Sequence, residues 1–186
     1  MALAHAPDIE GLWRLTTAID THGNSYTGNV YITLDNAEAG LYRLKWELST
    51  QQYSGMGIWE KGCLWTAWGA AEGFGLAFFE AVQQGFVRGR WIGVESTGQW
   101  GEETIRGIGA EHFIGRYPIS GTRPRTDKHY SGQITFQKTG ILYTALWDVT
   151  PILYTGIGIK QDDRLVLSFG RYDYGFAKYV FDGDVA

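Results

Sequence analysis

Two stretches 101 residues apart decide the fold: Leu41-Tyr42-Arg43-Leu44-Lys45-Trp46-Glu47-Leu48 with Tyr53-Ser54-Gly55-Met56-Gly57-Ile58, and Tyr143-Thr144-Ala145-Leu146-Trp147 with Tyr154-Thr155-Gly156-Ile157-Gly158-Ile159. In the first, Tyr42, Leu44, Trp46 and Leu48 share one face of an extended chain. Leu41, Arg43, Lys45 and Glu47 share the other. This alternation is that of a strand with one wet face. The glycine pairs also lie two residues apart, so each pair removes two side chains from one face of the next strand. A strand bared in this way bends sharply or accepts a large ring from its neighbour. Trp46 and Trp147, one hairpin earlier, are the expected covers.

Outward from this centre the matches continue. Leu64 pairs with Leu165, Trp68-Gly69 with Phe169-Gly170, and Gly75-x-Ala77-x-Phe79 with Gly175-x-Ala177-x-Tyr179. Upstream, Gly11-Leu12-Trp13 matches Gly115-Arg116-Tyr117, and Tyr26-Thr27-Gly28 matches Tyr130-Ser131-Gly132, at an offset of 104. A three-residue gap therefore falls in the loop near Asn36. Agreement in order, spacing and residue type is the signature of an internal repeat. The boundaries predicted are 8–107 for the first copy and 112–183 for the second. The joint is at 107–111, and the copies pack together as one compact unit. The first copy continues through Gly85-Phe86-Val87-Arg88-Gly89-Arg90-Trp91 and Trp100 to Arg106, so the second lacks about two strands. Seven or eight strands are expected in the first copy and six in the second. The fold class is all-β, an antiparallel meander barrel built from two sequence repeats.

Composition agrees. The chain has 186 residues, with 26 Gly, 8 Trp, 11 Tyr and 9 Phe. Rings suit half-buried pleated surfaces, and glycine suits turns and bends. One cysteine, Cys63, excludes an internal disulfide. Met1 to Pro7 has no basic segment leading into a long apolar run, which argues against a signal peptide. No stretch approaches the roughly 20 apolar residues of a membrane-spanning helix. A cytoplasmic setting is the expectation. Net charge is −4, which gives no general attraction to nucleic acid. Residues 1–107 hold 7 basic and 12 acidic residues, and residues 108–186 hold 9 and 8. That asymmetry makes a homo-oligomer with head-to-tail contacts conceivable.

No catalytic signature is present: no Gly-x-Ser-x-Gly, phosphate loop, His-Glu-x-x-His or Cys-x-x-Cys. The histidines His5, His22, His112 and His129 lack metal-ligand spacing, and the expectation is neither a metal nor a cofactor. Cys63 reads as a small buried residue. Glu72 and Asp173 occupy matching turns, where acidic residues are common. The loop Thr122 to His129 carries Arg123, Arg125 and Lys128, but it also holds Asp127 and is short for a nucleic-acid site. The unrepeated aromatic residues are freer than the repeated ones to serve a ligand. Trp65, Trp91, Tyr53 and Tyr154 are the candidate wall residues of a pocket. Arg88, Arg90 and Glu95 are the candidate polar group, which would act if they pointed inward.

Gly11-Leu12-Trp13, near the start of the first strand of a meander, resembles the calycin superfamily of lipocalins, fatty-acid-binding proteins and avidin-like barrels. Gly89-Arg90-Trp91 repeats the tripeptide. The wider pattern, Tyr-x-Gly, then Tyr-x-x-x-Trp, then Tyr-x-Gly-x-Gly, resembles a bacterial β-repeat of undefined role. The calycin resemblance implies an antiparallel barrel whose interior holds a small apolar ligand. The leading functional expectation is accordingly a non-enzymatic binding protein for a small apolar or aromatic molecule. The alternatives are a structural module that pairs with itself or a partner, a surface lectin, and a cofactor-free barrel cyclase or isomerase.

Overall fold

The computed structural model describes residues 7–19, 24–49, 51–69, 72–83, 85–108, 113–124, 126 and 128–181. Among them are fourteen strands and no helix: β1 (Gly11–Ile19), β2 (Ser25–Asn36), β3 (Leu41–Leu48), β4 (Gln52–Glu60), β5 (Cys63–Gly69), β6 (Gly75–Gln83), β7 (Gly85–Gly93), β8 (Gly101–Ile108), β9 (Gly115–Thr122), β10 (His129–Thr139), β11 (Leu142–Val149), β12 (Ile152–Gln161), β13 (Arg164–Gly170) and β14 (Tyr174–Val180). Eight strands, the last ending one residue past 107 at Ile108, belong to the stretch that begins at residue 8, and six fall within 112–183.

Strands β6 to β13 form a closed antiparallel barrel in which each strand pairs with the next in sequence, and β13 returns to pair with β6. The remaining strands form an open six-stranded sheet in the order β1-β2-β3-β4-β5-β14. The division between the sheets therefore does not fall between β8 and β9, both of which are barrel strands. Instead, the matched strands β6 and β14 change places. Strand β6 pairs with β13, with Leu165 opposite Phe79 and Phe169 opposite Gly75. Strand β14 pairs with β5, with Leu64 opposite Tyr179 and Trp68 opposite Gly175. The registers correspond residue for residue. What distinguishes the two bodies is closure: β7 and β8 complete the barrel, and no described strand follows β14.

Matched positions take matched conformations. Gly11 and Gly115 have φ of 121° and 119°, and Lys61 and Asp162 have 51° and 55°. Lys61 and Gly62 both have positive φ, as a two-residue type I′ hairpin between β4 and β5 requires. Trp46 and Trp147 are each 5% exposed. A Cβ built on Gly55 would lie 2.7 Å from the Trp46 ring, and one on Gly156 would lie 2.7 Å from the Trp147 ring. Each tryptophan thus covers the first glycine of its pair. The second glycine does something else. Gly57 faces the ends of Leu64 and Leu44, and Gly158 faces the backbone of Val166.

Alternation along the strands creates three apolar layers. The barrel interior holds Phe79, Ile105, Ile134, Phe136, Leu165 and Leu167, and the fully buried Phe113 plugs one end. The concave face of the open sheet holds Val30, Ile32, Tyr42, Leu44, Trp46 and Leu64, with Ile9 at the position matching Phe113. Between the two bodies lie Met56, Trp65 and Ala67 of the sheet against Leu76, Phe78, Ile92 and Val166 of the barrel. Each fully buried aliphatic or aromatic side chain in this seam contributes roughly 1.5–3 kcal/mol. Glu60 on β4 adds ion pairs to Arg90 on β7 and, at 2.7 Å, to Arg164 on β13. The barrel packs against the sheet through this seam, and its unplugged end is open.

Candidate functional site

The two ends of the barrel differ because the ring positions differ. At the plugged end Phe113, Phe136 and Phe79 touch in sequence, with centroids 5.6 and 5.9 Å apart. The chain of rings continues through Trp147 and Phe169 to Trp91 and Tyr154 at the other end. Those last rings stand apart around a cavity of about 340 Å³, lined also by Glu103, Tyr130, Val149 and Ile152, with Glu95, Ser96 and Arg123 at its rim. The volume lies at the lower end of the usual range for small-molecule sites, about 300–1,000 Å³.

Two rings in this cavity, Tyr130 and Trp147, donate to one carboxyl group, and a third, Trp91, donates to Tyr130. Glu103 sits on β8 on the same face as Gly101 and Ile105, so it points into the barrel, and it is 5% exposed. Tyr130 on β10 is two strands away and reaches it only because Gly121, on the β9 strand between them, has no side chain. A Cβ there would lie 2.6 Å from the tyrosine hydroxyl. The Tyr130 hydroxyl donates to Glu103 Oε1 at 2.7 Å. The Tyr130 hydroxyl oxygen in turn accepts from Trp91 Nε1 at 2.9 Å, the Trp91 ring lying over the equally bare Gly101. From across the barrel, Trp147 Nε1 donates to Glu103 Oε2 at 3.4 Å. The site is therefore a chain of donors, Trp91 to Tyr130 to Glu103, closed by Trp147.

Electrostatics follow from burial. Removal from water disfavours the carboxylate and pushes the pKa of Glu103 up to about 7, against the opposing pull of hydrogen bonds from Tyr130 and Trp147. Burial, and next the neighbouring Glu103, push the Tyr130 hydroxyl upward as well, so it stays a donor. A carboxyl group poised near neutrality serves in two ways: ionised, it attracts a cation; protonated, it donates a hydrogen bond.

Of the seven residues singled out from sequence, the fold brings together three. Trp91 and Tyr154 are wall residues, and Glu95 is an exposed rim residue. Arg88 and Arg90 alternate with the inward residues of β7 and so face outward. Arg88 is exposed, while Arg90 pairs with Glu60 and lies over the Trp100 ring at 4.3 Å. They do not join Glu95 inside the barrel. Trp65 is buried in the seam between the bodies, 5.9 Å from the Phe176 ring. Tyr53 packs at 4.6 Å on Trp68 in the open sheet. Glu72 and Asp173 are exposed in separate turns, and Cys63 is buried. His5, His22, His112, Arg125, Asp127 and residues 109–111 lie outside the described residues.

Sequence reasoning missed Glu103, and it read Tyr130 and Trp147 only as framework. A signal for Glu103 was present: in Gly101-Glu102-Glu103-Thr104-Ile105-Arg106, Glu103 is the acidic residue on the apolar face. Compared with protein-family models, curated protein sequences and solved structures, the chain matches none of them.

Proposed function

We propose that this chain is a binding protein that holds a small, largely aromatic molecule in the open end of the barrel, in the manner of a calycin. The observation that carries this reading is the cavity itself. One end of the barrel is filled by Phe113, Phe136 and Phe79. The other is walled by rings that leave a space and converge on a single polar group. Apolar walls with a few placed polar atoms are the usual composition of a small-molecule site. Trp91, Trp147 and Tyr154 supply contact area, and Glu103 with Tyr130 supplies orientation. Titration with a panel of lipophilic aromatic compounds should quench the intrinsic tryptophan fluorescence saturably. A flat response across the panel refutes the proposal.

A second reading, self-assembly, draws on a separate observation: β1 and β14 are the edge strands of the open sheet. Exposed edges are templates for strand pairing. Light scattering decides it, since a mass that stays monomeric as concentration rises rules this reading out.

A further inference from the structure

Glu103 differs from the half-buried carboxylate of Glu60. Glu60, in the seam between the bodies, carries two arginines. Glu103 is more deeply enclosed, and no ion pair reaches it from any described residue. An ionised carboxylate offers about four acceptor sites, and Glu103 uses two, one of them on the long Trp147 contact. Facing it are Tyr130 from β10, Trp147 from β11 and, through Tyr130, Trp91 from β7. The other charged groups lining the cavity are Arg123 and Glu95, both exposed at the rim. A buried carboxylate with free lone pairs and no counter-ion among the described residues, in a cavity walled by indole and phenol rings, a ring type whose faces attract cations, is complementary to one kind of ligand.

We infer that the ligand of the barrel is a cation, an ammonium group on a flat aromatic body, with the ammonium seated on Glu103 and the body against Trp91, Trp147 and Tyr154. This deepens the binding reading and rests on it. A neutral molecule in the same place would bury Glu103 further and favour its protonated form. An anion would meet Glu103 directly.

Calorimetric titration of the whole protein with three probes of similar shape tests the inference: tryptamine, 3-ethylindole and indole-3-propionate. At pH 8 tryptamine is expected to bind about tenfold or more tightly than 3-ethylindole, the worth of a charge-assisted hydrogen bond in a dry site. Indole-3-propionate should be the weakest of the three. Glu103→Gln should weaken tryptamine binding about tenfold or more and so abolish its preference over 3-ethylindole. Without any substitution, tryptamine affinity should rise between pH 6 and pH 8 and 3-ethylindole affinity should fall. Equal or tighter binding of 3-ethylindole to the unaltered protein overturns the inference but leaves the binding site standing, as does a preference that survives Glu103→Gln. Failure of all three probes to bind refutes both.

Discussion

Replacing Glu103 by Gln should change how stability depends on pH, and the size of the change follows from burial. In the folded chain the carboxyl group titrates near 7, against an ordinary value of 4.5. The folded state therefore holds this proton more tightly than the unfolded chain does. Stability is greatest below the unfolded value, falls as pH rises from about 4.5 to about 7, and is level above that. At about 1.4 kcal/mol per unit the full gap is worth about 3 kcal/mol. Between pH 5 and pH 8 about 2.5 kcal/mol of this is exposed to measurement, because unfolded glutamate is already mostly ionised at pH 5. Urea unfolding of both proteins at the two pH values isolates the effect, since all other carboxylates titrate alike in both. The unaltered protein should lose about 2.5 kcal/mol more than Glu103→Gln on going from pH 5 to pH 8. Parallel pH profiles would refute the argument that the Glu103 carboxyl is dry and unpaired.

Four further substitutions probe the architecture. Tyr130→Phe removes a donor from Glu103 and the acceptor of Trp91, so it should cost about 1–3 kcal/mol and move the levelling of the stability profile to higher pH, read by the same unfolding series. Gly57→Ala and Gly158→Ala alter matched positions but should differ. A Cβ on Gly57 meets the movable end of Leu64 at 2.9 Å, and one on Gly158 meets the Val166 carbonyl at 1.9 Å. Thermal unfolding should place the first at about 1–3 kcal/mol and the second beyond that range, and equal losses would contradict the packing described. Arg90→Ala breaks the Glu60 pair and the contact with Trp100. It should lower stability by about 1 kcal/mol without changing ligand affinity in a fluorescence titration.

The fold was legible because its rules are local. Period-2 alternation in Leu41–Leu48, turn residues between strands, and rings set one hairpin before bare glycines all constrain the chain within about twenty residues. The expectation of seven or eight strands and then six followed from these, as did a tryptophan over each glycine pair, which the structure places on the first glycine, Gly55 or Gly156. The exchange of β6 and β14 was not legible, because matched strands present the same residues to either partner: Leu165 and Leu64 receive Phe79 and Tyr179 in the same register. The site was only partly legible for a related reason. Trp91 was found as an unrepeated ring, and Tyr154 as one member of the matched pair Tyr53 and Tyr154. Arg90 and Glu95 were grouped by closeness in sequence, but strand alternation turns Arg90 outward to Glu60. Glu103 meets Tyr130 across a third strand and over Gly121, a contact between residues 27 apart that no local pattern encodes.

The eight tryptophans of the chain give the most direct test of where a ligand sits. With ¹⁵N-labelled indoles, titration with tryptamine at pH 8 should shift the Nε1–H resonances of Trp91 and Trp147, which line the cavity. Those of Trp65 in the seam and Trp13 on β1 should stay in place. Shifts confined to Trp65, Trp13 or the open sheet would locate binding elsewhere and contradict the account.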